Sequence, residues 1–250
     1  MRTTKIEWTE RTWNPVTGCT KISAGCEHCY AETMARRLCA MGNPKYHNGF
    51  QSTIHPDDLI EPMRWKKPST IFVCSMSDLF HSDVPFDFID KVFGVIRNTP
   101  QHNYQILTKR AERMAEYFAS RIIPGNVWIG VTVENPKVKN RIDYIRNLKA
   151  SVRFISCEPL LEDLGELDLS GINWIIVGGE SGVQARPMKE EWVLNIKRQA
   201  DKNHIPFFFK QWGTWSVDGI KGNKKINGKL LQGKIVQNMP NARKHEAITK

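Results

Sequence analysis

The chain of 250 residues contains 40% hydrophobic and 25% charged residues and carries a formal net charge of +10. This composition excludes a disordered chain, and the length fits one large domain such as a single α/β barrel. No apolar run approaches the ~20 residues that a membrane-spanning helix needs, and the amino-terminal residues lack the apolar block of a signal peptide. We therefore expect a soluble cytoplasmic protein with no membrane partner.

Three of the six cysteines crowd into the first thirty residues of the sequence. Cys19, Cys26 and Cys29 have the spacing C-x6-C-x2-C, and a glycine precedes each of the first two. In a reducing compartment such crowding predicts metal binding or redox chemistry rather than a disulfide. Glycine permits the backbone bends that wrap thiolates around a metal. A helix predicted to begin near Tyr30 would favour thiolate charge through its amino-terminal amides.

After this cluster, short apolar runs typical of strands alternate with stretches of helical periodicity. The predicted strands are Ile71 to Ser75, Tyr104 to Thr108, Val127 to Val133, Val152 to Ser156, Trp174 to Val177 and Pro206 to Lys210. Apolar stripes predict helices near Tyr30, after Pro85, after Lys137 and around Trp192.

Strands this apolar are buried on both faces, as in parallel sheets that helices cover. Six or seven strand and helix units predict a full or partial barrel, and an open doubly wound sheet is the alternative. In both folds the functional groups gather at the carboxyl ends of the strands. The site candidates at these ends are Ser75, Ser77, Asp78, Thr108, Lys109, Glu134, Glu158, Glu180 and Lys210.

The sequence from Asn14 to Cys19 (NPVTGC) and the trailing Cys29-Tyr30-Ala31 resemble the radical S-adenosylmethionine (SAM) superfamily, particularly its spore photoproduct lyase-like branch. The whole chain, including the PFFFKQWG segment from Pro206 to Gly213, is also similar to a phage-associated family of unknown function that is related to this superfamily. The first likeness is specific around the cysteines, and the second covers roughly residues 5 to 213. The usual superfamily spacing is C-x3-C-x2-C, so this loop holds three extra residues.

The resemblance implies a partial (β/α)6 TIM-like barrel with the metal-binding loop after the first strand. It implies that Cys19, Cys26 and Cys29 bind a 4Fe-4S cluster whose open iron binds SAM. One electron, supplied by a reductant protein, then cleaves SAM and generates a 5′-deoxyadenosyl radical. The remaining candidates would bind the cofactor or substrate: Ser75, Ser77 and Asp78 near the SAM amino group, Glu134, Glu158 and Glu180 at ribose or substrate, and Thr108, Lys109 and Lys210 beside them.

A zinc site is the alternative interpretation of the cysteines. Three thiols and one histidine form a closed four-ligand set. His28 lies within the x2 spacer, where a tight turn points it away from the shared metal, so His47 is the better fourth ligand. The protein would then be a non-enzymatic, zinc-stapled nucleic-acid-binding protein.

The other three cysteines have simpler interpretations. Cys39 is predicted to fill apolar space on the helix. Cys74 and Cys157 end strands, where they are either buried or face the cavity as hydrogen donors to a substrate radical.

The end of the sequence is basic. Residues 217–250 hold seven lysines and one arginine against two acidic residues, so they carry +6 of the total charge of +10. We expect a barrel domain over 1–213 and a basic tail over 214–250. The tail is either a solubilising end or an arm that attracts nucleic-acid phosphates. Together with Lys109, Arg110 and Lys210 it indicates a nucleotide or nucleic-acid substrate, with modification or repair of a nucleobase as the leading possibility.

Overall fold

The computed structural model describes residues 4–240. Seven strands form one parallel sheet in which the spatial order follows the chain order. The strands are β1 (Arg11–Trp13), β2 (Thr70–Val73), β3 (Asn103–Thr108), β4 (Val127–Thr132), β5 (Val152–Cys157), β6 (Trp174–Gly178) and β7 (Phe207–Gln211). All six predicted strands are confirmed to within one or two residues at each end. The three-residue strand β1 is too short to show a pattern.

Helices follow most of these strands. They are α1 (Tyr30–Ala40), α2 (Phe86–Arg97), α3 (Ala111–Phe118), α4 (Arg141–Arg146), α5 (Glu190–Lys202) and the short α6 (Lys224–Asn227). Turns of 3-10 helix span Ala24–Cys26, Pro44–Tyr46, Pro56–Arg64 and Pro136–Val138. Two-residue strands pair Val16–Thr17 with Thr53–Ile54 and Leu230–Leu231 with Lys234–Ile235. The helices predicted near Tyr30, after Pro85, after Lys137 and around Trp192 are confirmed.

The sheet curls into a half barrel, which confirms the partial TIM-like barrel. A doubly wound sheet reverses its strand order at a switch point. Here the order runs from β1 to β7 without reversal, so that alternative is wrong. The segment that carries the cysteines follows β1 directly, as the barrel interpretation requires. The carboxyl ends of β2 to β7 therefore lie along one rim with this segment.

Aromatic side chains fill the concave face of the half barrel. Trp174 packs against Phe154 at 5.4 Å and against Phe208 at 6.0 Å between ring centroids. Phe154 extends over β4 because residue 130 there is a glycine, and a Cβ at Gly130 would lie 2.4 Å from its ring. This cluster contains no residue of a helix, whereas the core on the other face includes the apolar stripes of α2 to α5. Packed side chains from the strands thus fill the bottom of the concave face.

The carboxyl-terminal segment returns to the outer edge of β7. The backbone amide of Phe209 donates to the carbonyl of Val236 at 2.7 Å, and the amide of Asn238 donates to the carbonyl of Phe207 at 3.0 Å. The Trp174 indole donates to the carbonyl of Asn238 at 3.0 Å. Residues 236–238 of the predicted tail therefore pack on the sheet.

The two ends of the described chain also meet. Lys229 Nζ contacts the Glu7 carboxylate at 3.0 Å, and Trp8 packs on Phe72 in the concave cluster. Residues 241–250 of the predicted basic tail lie outside the described residues. Within residues 4–240, no helix is long and apolar enough to cross a membrane.

Substitution of Gly130 by alanine tests the packing of the concave face. The new methyl group would overlap the Phe154 ring, so we expect Gly130→Ala to lower the free energy of unfolding by about 1–3 kcal/mol. Gly94→Ala is the matched control, because Gly94 lies in α2 and no atom lies within 4 Å of its Cβ position. In a helix this change should stabilise by about 0.5–1 kcal/mol. Urea unfolding of both variants measures the difference, and equal effects would contradict the packing argument.

Candidate functional site

The three clustered cysteines lie on one segment, residues 18–29, which we call the cysteine loop. Cys19 lies at its start, Cys26 ends the 3-10 turn Ala24–Cys26, and Cys29 directly precedes α1. All three thiols are free and half-buried. The loop therefore presents three free thiols at the carboxyl rim of the half barrel, the edge where the sequence predicted the functional groups.

The start of the cysteine loop requires a glycine. Gly18 has a φ of +75°, and a Cβ at this position would lie 2.0 Å from the carbonyl oxygen of Gln51. Its amide donates to the carbonyl of Met76 at 3.1 Å, and the next amide, that of Cys19, donates to the carbonyl of Phe50 at 3.0 Å. These contacts fix the backbone position from which the Cys19 thiol projects.

Asp78 follows β2 and is a buried carboxylate with four donors. Its Oδ1 accepts from the Phe80 amide at 3.0 Å and from the Thr108 hydroxyl at 2.7 Å. Its Oδ2 accepts from the Lys109 amide and from Arg110 Nη1, both at 3.1 Å. The carboxylate thus joins the ends of β2 and β3 and orients the Arg110 guanidinium.

Arg110 reaches from Asp78 to the first thiol. Its Nη1 lies 3.4 Å from Cys19 Sγ, and its Nη2 donates to the carbonyl and hydroxyl of Thr20 at 3.1 and 2.9 Å. Burial and the nearby Asp78 carboxylate raise the pKa of the Cys19 thiol, while Arg110 opposes this shift. Arg110 is therefore the group that favours the thiolate form of Cys19.

Glu134 follows β4 and is fully buried beneath the loop. Its Oε1 accepts from the Gly25 amide at 3.2 Å, and its Oε2 accepts from Arg141 Nη1 at 2.8 Å. A Cβ at Gly25 would lie 3.1 Å from the carboxyl carbon, so the glycine allows the carboxylate to approach the backbone. Arg141 also donates to the carbonyl of Thr132 at 2.9 Å. Glu134 thus holds the loop immediately before Cys26.

Glu180 follows β6 and forms the third attachment. Arg186 donates to both of its oxygens, through Nη2 at 2.7 Å and Nε at 2.9 Å. The same guanidinium donates to the carbonyl of Ala24 at 2.9 Å and to the Glu27 carboxylate at 2.8 Å. His28 Nδ1 lies 3.3 Å from Glu180 Oε2. Burial acts to raise the pKa of Glu180, but the hydrogen bonds from Arg186 and His28 outweigh it and lower the pKa.

A separate polar group lies on the concave side of the rim. Lys210 Nζ forms an ion pair with Glu158 Oε1 at 3.0 Å, from β7 to the end of β5. The intervening strand β6 has Gly178 at this level, and a Cβ there would lie 2.4 Å from the same carboxylate oxygen. Lys109 Nζ contacts the Thr132 hydroxyl at 3.4 Å. Lys109 is therefore a half-buried ammonium with a hydroxyl as its contact.

The two serines after β2 contact the chain that follows β1. Ser75 Oγ donates to Asn14 Oδ1 at 3.1 Å, and Ser77 Oγ donates to the carbonyl of Val16 at 2.7 Å. The structure thus brings Asp78, Glu134 and Glu180 to the cysteine loop, and it places Glu158, Lys210 and Lys109 on the concave face. The cofactor contacts of all these residues stay predictions.

The donor set of the loop consists of three free, half-buried thiols, one of them beside a guanidinium. Among residues 4–240, no three His, Cys, Asp or Glu side chains are arranged to hold a single ion. Each thiolate of a 4Fe-4S cluster binds a different iron, so its three sulfurs do not converge on one point. Three free cysteines on one loop are the ligand type that such a cluster uses, and binding of the cluster stays a prediction.

The two histidines considered for zinc have other partners. His28 contacts the Glu180 carboxylate, and His47 Nδ1 lies 2.8 Å from the carbonyl of Pro44. Neither belongs to a metal-holding group among the described residues.

The remaining cysteines lie outside the cysteine loop. Cys39 is half-buried on α1, with its Sγ 3.9 Å from the carbonyl of His47. Cys74 and Cys157 are buried, and burial raises the pKa of Cys74 to about 12. Ordinary burial thus describes both strand-end thiols.

A protein family described as "Protein of unknown function (DUF5131)" matches residues 3–240. The chain belongs to this family. The family description does not refer to phages, and the phage association stays a prediction. None of the curated proteins matches the chain significantly.

Solved structures of spore photoproduct lyase are similar in backbone arrangement. A mutant of that lyase is 14% identical, with a TM-score of 0.45 over 72% of this chain and 60% of the lyase chain. The lyase complexed with dinucleoside spore photoproduct is 14% identical, with a TM-score of 0.45 over 80% and 65%. A mutant with bound AdoMet and dinucleoside spore photoproduct is 14% identical, with a TM-score of 0.44 over 78% and 62%. The chain spans less than two thirds of the length of these lyase chains. The likeness concerns the backbone arrangement.

Two arginines of the site were not among the sequence candidates. Arg141 begins α4 and Arg186 lies in the loop after β6, and each pairs with a carboxylate that the sequence did mark. Strand-end position reveals the carboxylates. Nothing in the local sequence distinguishes these two arginines from surface ones, because their partners are tertiary.

The Glu180 pair makes stability depend on pH. Its lowered pKa means that the carboxylate stabilises the fold above the unfolded pKa of about 4.3, and that this contribution is lost as the pH falls through the folded pKa. We expect Glu180→Gln to lower the free energy of unfolding by about 1–3 kcal/mol at neutral pH, and the difference from wild type to shrink in acid. Urea unfolding between pH 7 and pH 3 measures this. The exposed Glu191→Gln is the control, and a difference that persists unchanged in acid would contradict the assignment.

Proposed function

We propose that the chain is a radical SAM enzyme in which Cys19, Cys26 and Cys29 hold a 4Fe-4S cluster. The observation that carries the proposal is the three free thiols on one loop, attached to the carboxyl rim of a half barrel by Asp78, Glu134 and Glu180. The resemblance of the loop sequence to the superfamily supports the same assignment.

A cluster held by these three thiolates would leave one iron open for SAM, and with one electron from a reductant it would supply the cleavage of the sulfonium C–S bond to methionine and a 5′-deoxyadenosyl radical. The residues of the chain have three tasks around it. Arg110 donates to Cys19 Sγ and favours the charge of that ligand. Glu134 and Arg186 hold the loop backbone just before Cys26, at the Gly25 amide and the Ala24 carbonyl. The aromatic side chains that fill the concave face exclude water from the side of the site that faces the sheet. This would protect a short-lived radical.

The proposed substrate is a nucleotide or nucleic acid. Lys109 is a half-buried ammonium on the concave face, and the ion pair of Lys210 with Glu158 on the same face offers an ammonium donor and a carboxylate acceptor for a base edge. Lys109 has no carboxylate partner among residues 4–240, and a half-buried cation of this kind favours an anionic ligand such as a phosphate. The net charge of +10 favours association with a polyanion. A reductant protein supplies the electron.

Anaerobic purification tests the proposal. We expect brown protein with four irons and four sulfides per chain, which yields 5′-deoxyadenosine from SAM under a strong reductant. Cys26→Ala should lose colour, iron and 5′-deoxyadenosine together. Cys39→Ser is the matched control, because Cys39 is equally half-buried but lies outside the loop, and it should keep all three.

The same measurements separate the alternatives. Colourless protein with one zinc per chain would overturn the proposal in favour of a zinc-stapled nucleic-acid-binding protein. Equal loss of iron in the Cys26 and Cys39 variants would show that the cluster, if present, is not held by the loop.

A further inference from the structure

Apart from Lys210, the PFFFKQWG segment has no role in the proposed chemistry, yet its carboxyl-terminal residues contact the loop after β6 closely. We call residues 179–186 the β6 loop and residues 211–221 the brace. A Cβ at Gly179 would lie 1.9 Å from the carbonyl oxygen of Trp212. A Cβ at Gly213, which has a φ of +88°, would lie 2.2 Å from the carbonyl oxygen of Glu180. Two glycines therefore allow the two backbones to touch.

Hydrogen bonds extend this contact from Glu180 to Val183. The Thr214 amide donates to the carbonyl of Glu180 at 2.9 Å. The Thr214 hydroxyl accepts from the Gly182 amide at 2.9 Å and donates to the carbonyl of Gly182 at 3.1 Å. Lys221 Nζ donates to the carbonyl of Val183 at 2.8 Å.

The last contact reaches the residue before Arg186. The Trp215 indole donates to the carbonyl of Ala185 at 2.6 Å, and the Lys221 ammonium lies over the Trp215 ring at 5.7 Å. The β6 loop contains neither helix nor strand, so contacts from outside add to its internal bonds between Arg186 and Glu180 in holding its conformation. The brace provides such contacts at six of the eight positions, 179 to 183 and 185.

Arg186 transmits this order to the cysteine loop. Its guanidinium binds the Ala24 carbonyl two residues before Cys26 and the Glu27 carboxylate one residue after it. A chain of direct contacts thus runs from Trp215 through Ala185 and Arg186 to the segment that carries Cys26.

We propose that the brace is a positioning device that sets the cysteine loop before any cofactor binds, with Trp215 and Lys221 as its positioning residues. The inference rests on the proposed function only in taking the cysteine loop as the cofactor-binding segment. In the iron-free chain, a loose cysteine loop would lose conformational entropy when cofactor binding orders its three thiols. A loop that the brace already orders loses less.

Peptide-resolved hydrogen exchange on the iron-free, reduced full chain tests the brace. Trp215→Phe keeps an aromatic ring and removes the indole donor. We expect exchange in residues 180–186 and 24–29 to accelerate about 5-fold, as loss of one hydrogen bond predicts for local opening. Alkylation of Cys26 and Cys29 should accelerate in parallel. Exchange in β3 to β5 should not change.

Trp192→Phe is the matched control. Trp192 lies on α5, is half-buried and also has a lysine ammonium over its ring, that of Lys189 at 5.5 Å. This variant should leave exchange in residues 24–29 unchanged. Lys221→Met is the second test variant, because Lys221 is exposed and its loss does not endanger folding. It removes the donor to Val183 and should reproduce the effect of Trp215→Phe in smaller measure.

Faster exchange in residues 180–186 with unchanged exchange and alkylation in residues 24–29, in both test variants, would overturn the proposal. A general acceleration that includes β3 to β5 would also overturn it, because it would indicate global destabilisation. Reconstitution with iron and sulfide adds a spectroscopic readout, in which the brace variants should bind cluster more slowly than Trp192→Phe. The exchange result stands even if no cluster binds, so failure of the proposed function and failure of the brace are distinguishable.

Discussion

Three buried carboxylates hold the cysteine loop to the barrel, and the rest of the site depends on them. A buried charge is costly unless it is paired, so Asp78, Glu134 and Glu180 each have an arginine partner. Arginine has five donors, and two of these three guanidiniums use their remaining donors on the loop itself. The carboxylate–arginine pairs that make burial of these charges tolerable therefore also hold the cysteine loop in place.

The architecture follows from periodicity in the sequence. Runs such as Val127 to Thr132, buried at every position, indicate strands covered on both faces, and the alternation with helices leaves few topologies. Helix α3 was missed, although Ala111, Met114, Tyr117 and Phe118 form a buried stripe. The helix is only eight residues long, and charged residues at positions 112, 113 and 116 interrupt its apolar pattern. The pattern of β1 was lost for the same reason, because three residues carry no period.

The positions of the site residues along the rim were predictable from the sequence, but their contacts were not. Strand ends indicated Asp78, Glu134 and Glu180, since parallel strands bring their carboxyl ends to one rim. Their role in holding the loop was not evident, because it requires Gly25, Ala24 and the arginine partners to be near them in space. Sequence spacing identifies which side chains share a rim. It does not reveal which of these side chains already bond to other residues of the same chain.

The return of residues 236–238 onto β7 has a consequence for the molecule in solution. An open half barrel has edge strands whose unpaired amides and carbonyls invite another chain to join the sheet. On the β7 side those groups already bond Val236 and Asn238. Strand addition by a second molecule at that edge must first displace this segment, so the fold protects its own edge against self-association.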